Sequence, residues 1–162
     1  MAEYYGDMVF VNSHGMCFGG IYFTDNAGVT TLNSIAKVQV TDFDANSVYN
    51  NMTPDHLNDH VTITKAGIYK LSVGISVANQ AAQSHVLIVS VWKNDGGTEF
   101  ANTRIRRSLT GGSGDIGSLS INGIIDLAVD DTIEIWALTD SANDRSVIFV
   151  NCSLSLLQIG GT

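Results

Sequence analysis

Between residues 69 and 77 the sequence alternates without a break. Tyr69, Leu71, Val73, Ile75 and Val77 are apolar, while Lys70, Ser72, Gly74 and Ser76 are polar or small. Successive side chains of a strand point to opposite faces, so a strand here has one apolar face and one polar, small-residue face. A helix would scatter both classes around its circumference. The run therefore predicts a strand whose apolar side is sealed in a core and whose Lys70, Ser72, Gly74 and Ser76 side points outwards.

The rest of the chain divides in the same way. Gly20-Ile21-Tyr22-Phe23-Thr24 precedes the turn cluster Asp25-Asn26-Ala27-Gly28, and residues 35–41 alternate again. Residues 42–60, polar and containing Pro54, read as one long surface loop before a short strand over 61–64. Residues 86–92 are nearly all apolar and end in Asn94-Asp95-Gly96-Gly97, a hairpin signal. Residues 98–109 read as a further strand, with Arg104 and Arg106 on one face and Arg107 on the other. Residues 118–127 and 132–138 give two strands hinged at Val129-Asp130-Asp131, and residues 146–159 supply the last. Eight or more short strands without an amphipathic helix point to an all-β sandwich or barrel. Sixteen glycines against one proline fit many tight turns. Residues 1–18 follow no period, and read as an N-terminal arm whose Tyr4, Tyr5, Val9, Phe10 and Phe18 need a surface to lie on. Residues 19–162 read as one domain.

The formal net charge is −8, and within residues 1–60 seven acids face Lys37 alone. Such a chain is repelled by phosphate backbones and anionic bilayers, so neither nucleic acid nor a membrane is an expected partner. No leader sequence and no spanning apolar stretch are read, which predicts synthesis in a cytoplasm. Cys17 and Cys152 are too few for a disulfide framework. Cys152 reads as an ordinary strand residue, and a bridge tying the arm to the last strand is the alternative to two free thiols.

Catalytic chemistry finds little footing. His14 and Cys17 would be half of a zinc site whose other half is missing. His56 and His60 lie in the loop-like span, without a His-Glu-x-x-His pattern. His85 begins a strand. Gly111-Gly112-Ser113-Gly114 lacks the lysine and helix of a phosphate loop. The acidic turns at Asp130, Asp131, Asp140, Asn143 and Asp144 offer oxygens to calcium, but read as solvated turns. No enzyme activity, metal or cofactor is expected. The arginine cluster reads as a solvated strand edge, with pairing to acids of a neighbouring subunit or partner protein as the alternative.

Residues 61–162 resemble the superfamily that joins complement globular heads with tumour necrosis factor-like ligands. Ala66-Gly67-Ile68-Tyr69 is similar to that family's Gly-x-Tyr opening of a long strand. Asn122-Gly123-Ile124-Ile125-Asp126-Leu127 followed by Val129-Asp130-Asp131-Thr132-Ile133 is similar to its strand, leucine and Gly-Asp turn, with Asp130 in place of the turn glycine. The resemblance implies a jelly-roll sandwich of two antiparallel sheets and a homotrimer with the outward face of the 69–77 strand on the threefold axis. Lys70, Ser72, Gly74 and Ser76, joined by Ser120, Asn122, Asn151 and Ser153, would then form the trimer interface. The front part, Gly20-Ile21-Tyr22-Phe23 through Val40, resembles phage virion proteins of this fold. That implies a capsid decoration protein on the outer head surface, held to the major capsid protein by the arm. A trimeric receptor-binding tip, reading a host glycan or protein through loops 94–98 and 110–115, is the alternative.

Overall fold

The computed structural model describes residues 15–112 and 114–161, and every structural statement below is made of those residues. They form thirteen strands, one short 3-10 turn and no α-helix. In chain order the strands are β1 (Phe18–Phe23), β2 (Val29–Leu32), β3 (Val38–Gln39), β4 (Ala45–Asn46), β5 (Thr53–Asp55), β6 (His60–Thr62) and β7 (Gly67–Asn79). There follow β8 (His85–Lys93), β9 (Thr98–Glu99), β10 (Ile105–Leu109), β11 (Ile116–Leu127), β12 (Thr132–Thr139) and β13 (Arg145–Gly161). Two antiparallel sheets result. A six-stranded sheet runs β11-β7-β13-β1-β4, with β2 also on β13; a seven-stranded sheet runs β10-β8-β12-β6-β5, with β3 on β12 and β9 on β8. This is a jelly-roll sandwich.

The 69–77 register is the one the sequence predicts. Tyr69, Leu71 and Val77 are wholly buried, and Val73 and Ile75 are 3% exposed. Across the sandwich they meet Leu87, Val89 and Val91 of β8 and Ile133, Ile135 and Ala137 of β12, within one core cluster. Each such side chain contributes about 1.5–3 kcal/mol by leaving water. The Tyr69 hydroxyl donates to the Lys65 carbonyl at 2.7 Å, and burial pushes its pKa far above the ordinary phenol value.

β13 needs a correction to its phase to serve the same core. Phe149 pairs with Val77 and Asn151 with Ser76, so Val150 is an extra residue in a β-bulge. The bulge lets Val147 and Phe149 on one side of it, and Cys152, Leu154 and Leu156 on the other, all point inwards.

Turn chemistry is carried by acids and amides. All seven non-glycine residues with positive φ are Asp or Asn, the types that tolerate the left-handed region. Asn94, Asp95 and Gly96 have φ of 59°, 54° and 69°, closing the turn after β8. Asp130, standing where a turn glycine is usual in the resembled family, has φ 67°. Beside it Asp131 is buried and accepts from Lys93 Nζ, the Ala128 N–H and Asn94 Nδ2, each at 2.9 Å. Burial works against this charge. The Lys93 ammonium and the two amide donors outweigh it and hold the carboxyl below its ordinary value.

Several sequence expectations are corrected. The boundary drawn after residue 18 falls inside β1: Phe18 pairs with Leu157 and bridges to Asn50, so it belongs to the sheet and not to an arm. Tyr4, Tyr5, Val9 and Phe10 lie outside the described residues. The 42–60 span is not one loop, since it contains β4 and β5. Pro54 is buried in β5, which is an edge strand, where a missing N–H costs no sheet bond. Only Val38 and Gln39 of the 35–41 run pair as strand. A turn at Ala101–Thr103 interrupts the 98–109 run, so Arg104 precedes β10 and does not share its register with Arg106. Arg104 instead grips both carboxylate oxygens of Glu99, and Arg107 sits 3.6 Å from Asp115.

Candidate assembly face

The outward face of the six-stranded sheet can be read row by row from its register. One row is Ser118, Ser76 and Asn151; the next is Ser120, Gly74, Ser153 and Tyr22; a third is Asn122, Ser72, Ser155 and Gly20; a fourth is Ile124, Lys70, Leu157 and Phe18. All eight residues picked out from the sequence, Lys70, Ser72, Gly74, Ser76, Ser120, Asn122, Asn151 and Ser153, therefore lie side by side on β11, β7 and β13. Seven residues of these rows were not picked out for the interface, namely Ser118, Ser155, Gly20, Tyr22, Ile124, Leu157 and Phe18, the last read as arm. The alternations Ser153-Leu154-Ser155 and Gly20-Ile21-Tyr22-Phe23 carried the signal for three of them. What they lacked was the pairing of β1 with β13, a contact between the two ends of the sequence.

The first three rows hold no charged side chain, in a chain of net charge −8. The fourth holds only Lys70, between exposed Ile124 and half-buried Leu157. Small side chains leave a shallow depression of about 550 Å³ over Gly74, with Tyr22 at its rim. A Cβ on Gly74 would meet Ser153 Oγ at 3.3 Å, a tight contact with a small side chain that can rotate away, and no backbone atom within 4 Å. Gly20 differs: a Cβ there would sit 2.1 Å from the Leu154 carbonyl oxygen, and only glycine lets β1 lie so close to β13. The polar groups are partly joined already. Ser72 Oγ donates to Asn122 Oδ1 at 3.1 Å, and the Asp25 N–H donates to Asn151 Oδ1 at 3.2 Å.

The residues weighed for catalysis or metal binding are dispersed. His56 Nδ1 lies 3.2 Å from Asn46 Oδ1, His60 Nδ1 lies 3.0 Å from the Asn58 carbonyl, and His85 is buried at the start of β8. His14 is outside the described residues. Asp140 Oδ1 accepts the Val86 N–H, Asp144 Oδ1 accepts Asn33 Nδ2, and Asp131 is engaged by Lys93. Among the described residues no three His, Cys, Asp or Glu side chains gather as a metal site. Cys17 and Cys152 are both buried free thiols, and burial raises the Cys152 thiol far above its ordinary value. Cys17 lies beside Gln158 and Cys152 beside Phe23, about 20 Å apart along β13, too far for a disulfide.

The two loops offered for recognition are tied down. Buried Glu134 accepts the Asp95 and Gly96 N–H groups at 3.2 and 3.1 Å and the Thr132 hydroxyl at 2.5 Å, which fixes the 94–97 turn. The second loop is held by Asn79 Nδ2 on the Thr110 carbonyl and by the Gly111 N–H on Ser84 Oγ.

Comparison with protein-family models and with curated protein sequences finds no match. Solved structures do match in fold. Eiger TNF from S. frugiperda superposes with a TM-score of 0.59 at 14% identity, over 90% of this chain and 95% of that one. Murine APRIL, in a crystal structure at pH 5.0, gives 0.54 at 15% identity, over 88% and 99%. The fold is a TNF-like jelly roll.

Proposed function

We propose that this chain is a structural, non-enzymatic virion protein that assembles as a homotrimer and decorates the outer surface of a phage head by binding the major capsid protein. The observation that carries the assembly is the small-residue face centred on Gly74, whose four rows hold no carboxylate and one cation, Lys70. Three copies of an acidic chain repel one another, and they approach at least cost through a surface without carboxylates. Serine and glycine side chains allow close approach, and the Ser72, Ser120, Asn122, Asn151 and Ser153 groups supply hydrogen bonds, direct or through water. A ring of head-to-tail contacts closes such an assembly.

The capsid role rests on the resemblance of residues 20–40 to phage virion proteins and on the apolar residues Tyr4, Tyr5, Val9 and Phe10 that precede β1. Assembly on a head would occur after synthesis in the host cytoplasm. The test is co-sedimentation with empty phage heads. The full chain is expected to pellet with them, and a chain lacking residues 1–14, which keeps β1 intact, is expected to stay in the supernatant. A full chain that never pellets with heads, or a truncated one that pellets equally, contradicts the proposal. The second reading, a receptor-binding tip, draws its support from a tryptophan-lined depression on the opposite sheet.

A further inference from the structure

The chain has two tryptophans, and neither is in the core. Trp92 of β8 and Trp136 of β12 stand half-buried on the outer face of the seven-stranded sheet. Their indole N–H groups are occupied from within the sheet, by Ser90 Oγ at 2.8 Å and Glu134 Oε2 at 3.4 Å. Lys37, just before β3, lays its ammonium 4.0 Å from the Trp92 ring centre and 5.1 Å from that of Trp136. Together with Arg104, Ser34 and the 84% exposed Ile35 these side chains line an open depression of about 490 Å³. That volume is within the range of small-ligand sites.

The charges in this depression are unevenly answered. Glu134 is buried and fully engaged by its four donors. Glu99 is gripped side-on by Arg104 through Nε and Nη2, which leaves Nη1 directed elsewhere. The Lys37 ammonium makes no hydrogen bond or ion pair with the described residues; it lies over the two rings and within the electrostatic reach of the Glu99 carboxylate, with its N–H donors open. A fixed ammonium with open donors, a second guanidinium nitrogen and the parts of two half-buried indoles that Lys37 leaves uncovered together match a ligand that has an anionic group on an apolar ring. A carboxylated pyranose fits: its C–H face packs on indole and its carboxylate takes the cations.

We propose that the Trp92–Trp136–Lys37–Arg104 depression is a binding site for acidic sugars, of the sialic or uronic acid class. Every residue comes from one chain, so the site needs neither the trimer nor a capsid, and its failure would leave the assembly proposal standing.

Because both tryptophans lie in the site, intrinsic fluorescence reads it directly. Titration with 3′-sialyllactose or with glucuronic acid is expected to give a saturable change below about 10 mM, and lactose none. Lys37→Gln is expected to weaken the acidic probe about tenfold or more, with an unchanged melting curve. No response to either acidic probe, an equal response to lactose, or undiminished binding by the variant overturns the proposal. If Lys37→Gln lowers the melting curve, wild-type NMR decides. Sialyllactose must then move the indole N–H signals of both Trp92 and Trp136, and shifts confined to other residues overturn the site.

Discussion

Replacing Asp131 with alanine probes the hinge between β11 and β12. The side chain is 8% exposed and accepts three donors at 2.9 Å. Its removal strands two neutral donors, the Ala128 N–H and Asn94 Nδ2, at about 1 kcal/mol each, and one ammonium bond worth about 1.5–3 kcal/mol. Lys93 is 25% exposed and regains water, which keeps the charged part at the low end. The expected loss is roughly 3 kcal/mol, and for a chain of this size the melting temperature falls by about 6–12 °C. Thermal unfolding followed by circular dichroism measures it, at fixed protomer concentration because the proposed assembly would add a concentration-dependent contribution. The pH dependence is set by sign. The folded carboxyl titrates below its ordinary value of 3.8, so its contribution is complete above that value and is lost as pH falls through the folded pKa. The gap between wild type and variant should hold steady from pH 7 to about pH 5 and shrink below about pH 4. A gap under about 1 kcal/mol at pH 7, or one undiminished at pH 2, refutes the reasoning.

Asp130→Gly relieves a left-handed aspartate at φ 67° and should be neutral or stabilise by up to about 1 kcal/mol in urea unfolding; a clear loss would mean that the Asp130 side chain holds the turn. Neither thiol should react with a disulfide reagent in the native protein, and both should react in guanidinium, since Cys17 and Cys152 are buried and unlinked; one fast native thiol contradicts the packing. Gly74→Arg should leave the protomer folded, with the Ser153 hydroxyl 3.3 Å from its Cβ rotating aside, yet should prevent the proposed trimer from forming. Three guanidinium groups about 10 Å apart at an effective dielectric near 20 repel by roughly 5 kcal/mol in all. Gel filtration at micromolar concentration distinguishes the two species.

How legible the fold was depended on strand length. β7, β11, β12 and β13 show their faces in local alternation, β8 shows only as an apolar run ended by a hairpin signal, and the outward set on β7 followed from Tyr69 to Val77 alone. β4 and β5 are two and three residues long, below the reach of any periodicity, and Pro54 reads as a loop signal unless its edge position is known. Phe18 looked like arm because its partners, Leu157 and Asn50, are far along the chain. The Val150 bulge was invisible for a related reason: residues on both sides of it look equally well phased, and only pairing with β7 shows the slip. The acidic-sugar site was illegible altogether. It joins Lys37, Trp92, Arg104 and Trp136 from four separate segments, and no spacing between them carries meaning until the sheet sets them side by side.

The account turns on the serine-and-glycine face being an interface. A stable contact buries about 800 Å² per partner, roughly a tenth of the 8719 Å² this chain exposes alone. Sedimentation equilibrium of the 162-residue chain at micromolar concentration tests this directly. A single species at three times the 17.3 kDa protomer mass is the predicted result, and a stable species at 17.3 kDa contradicts it.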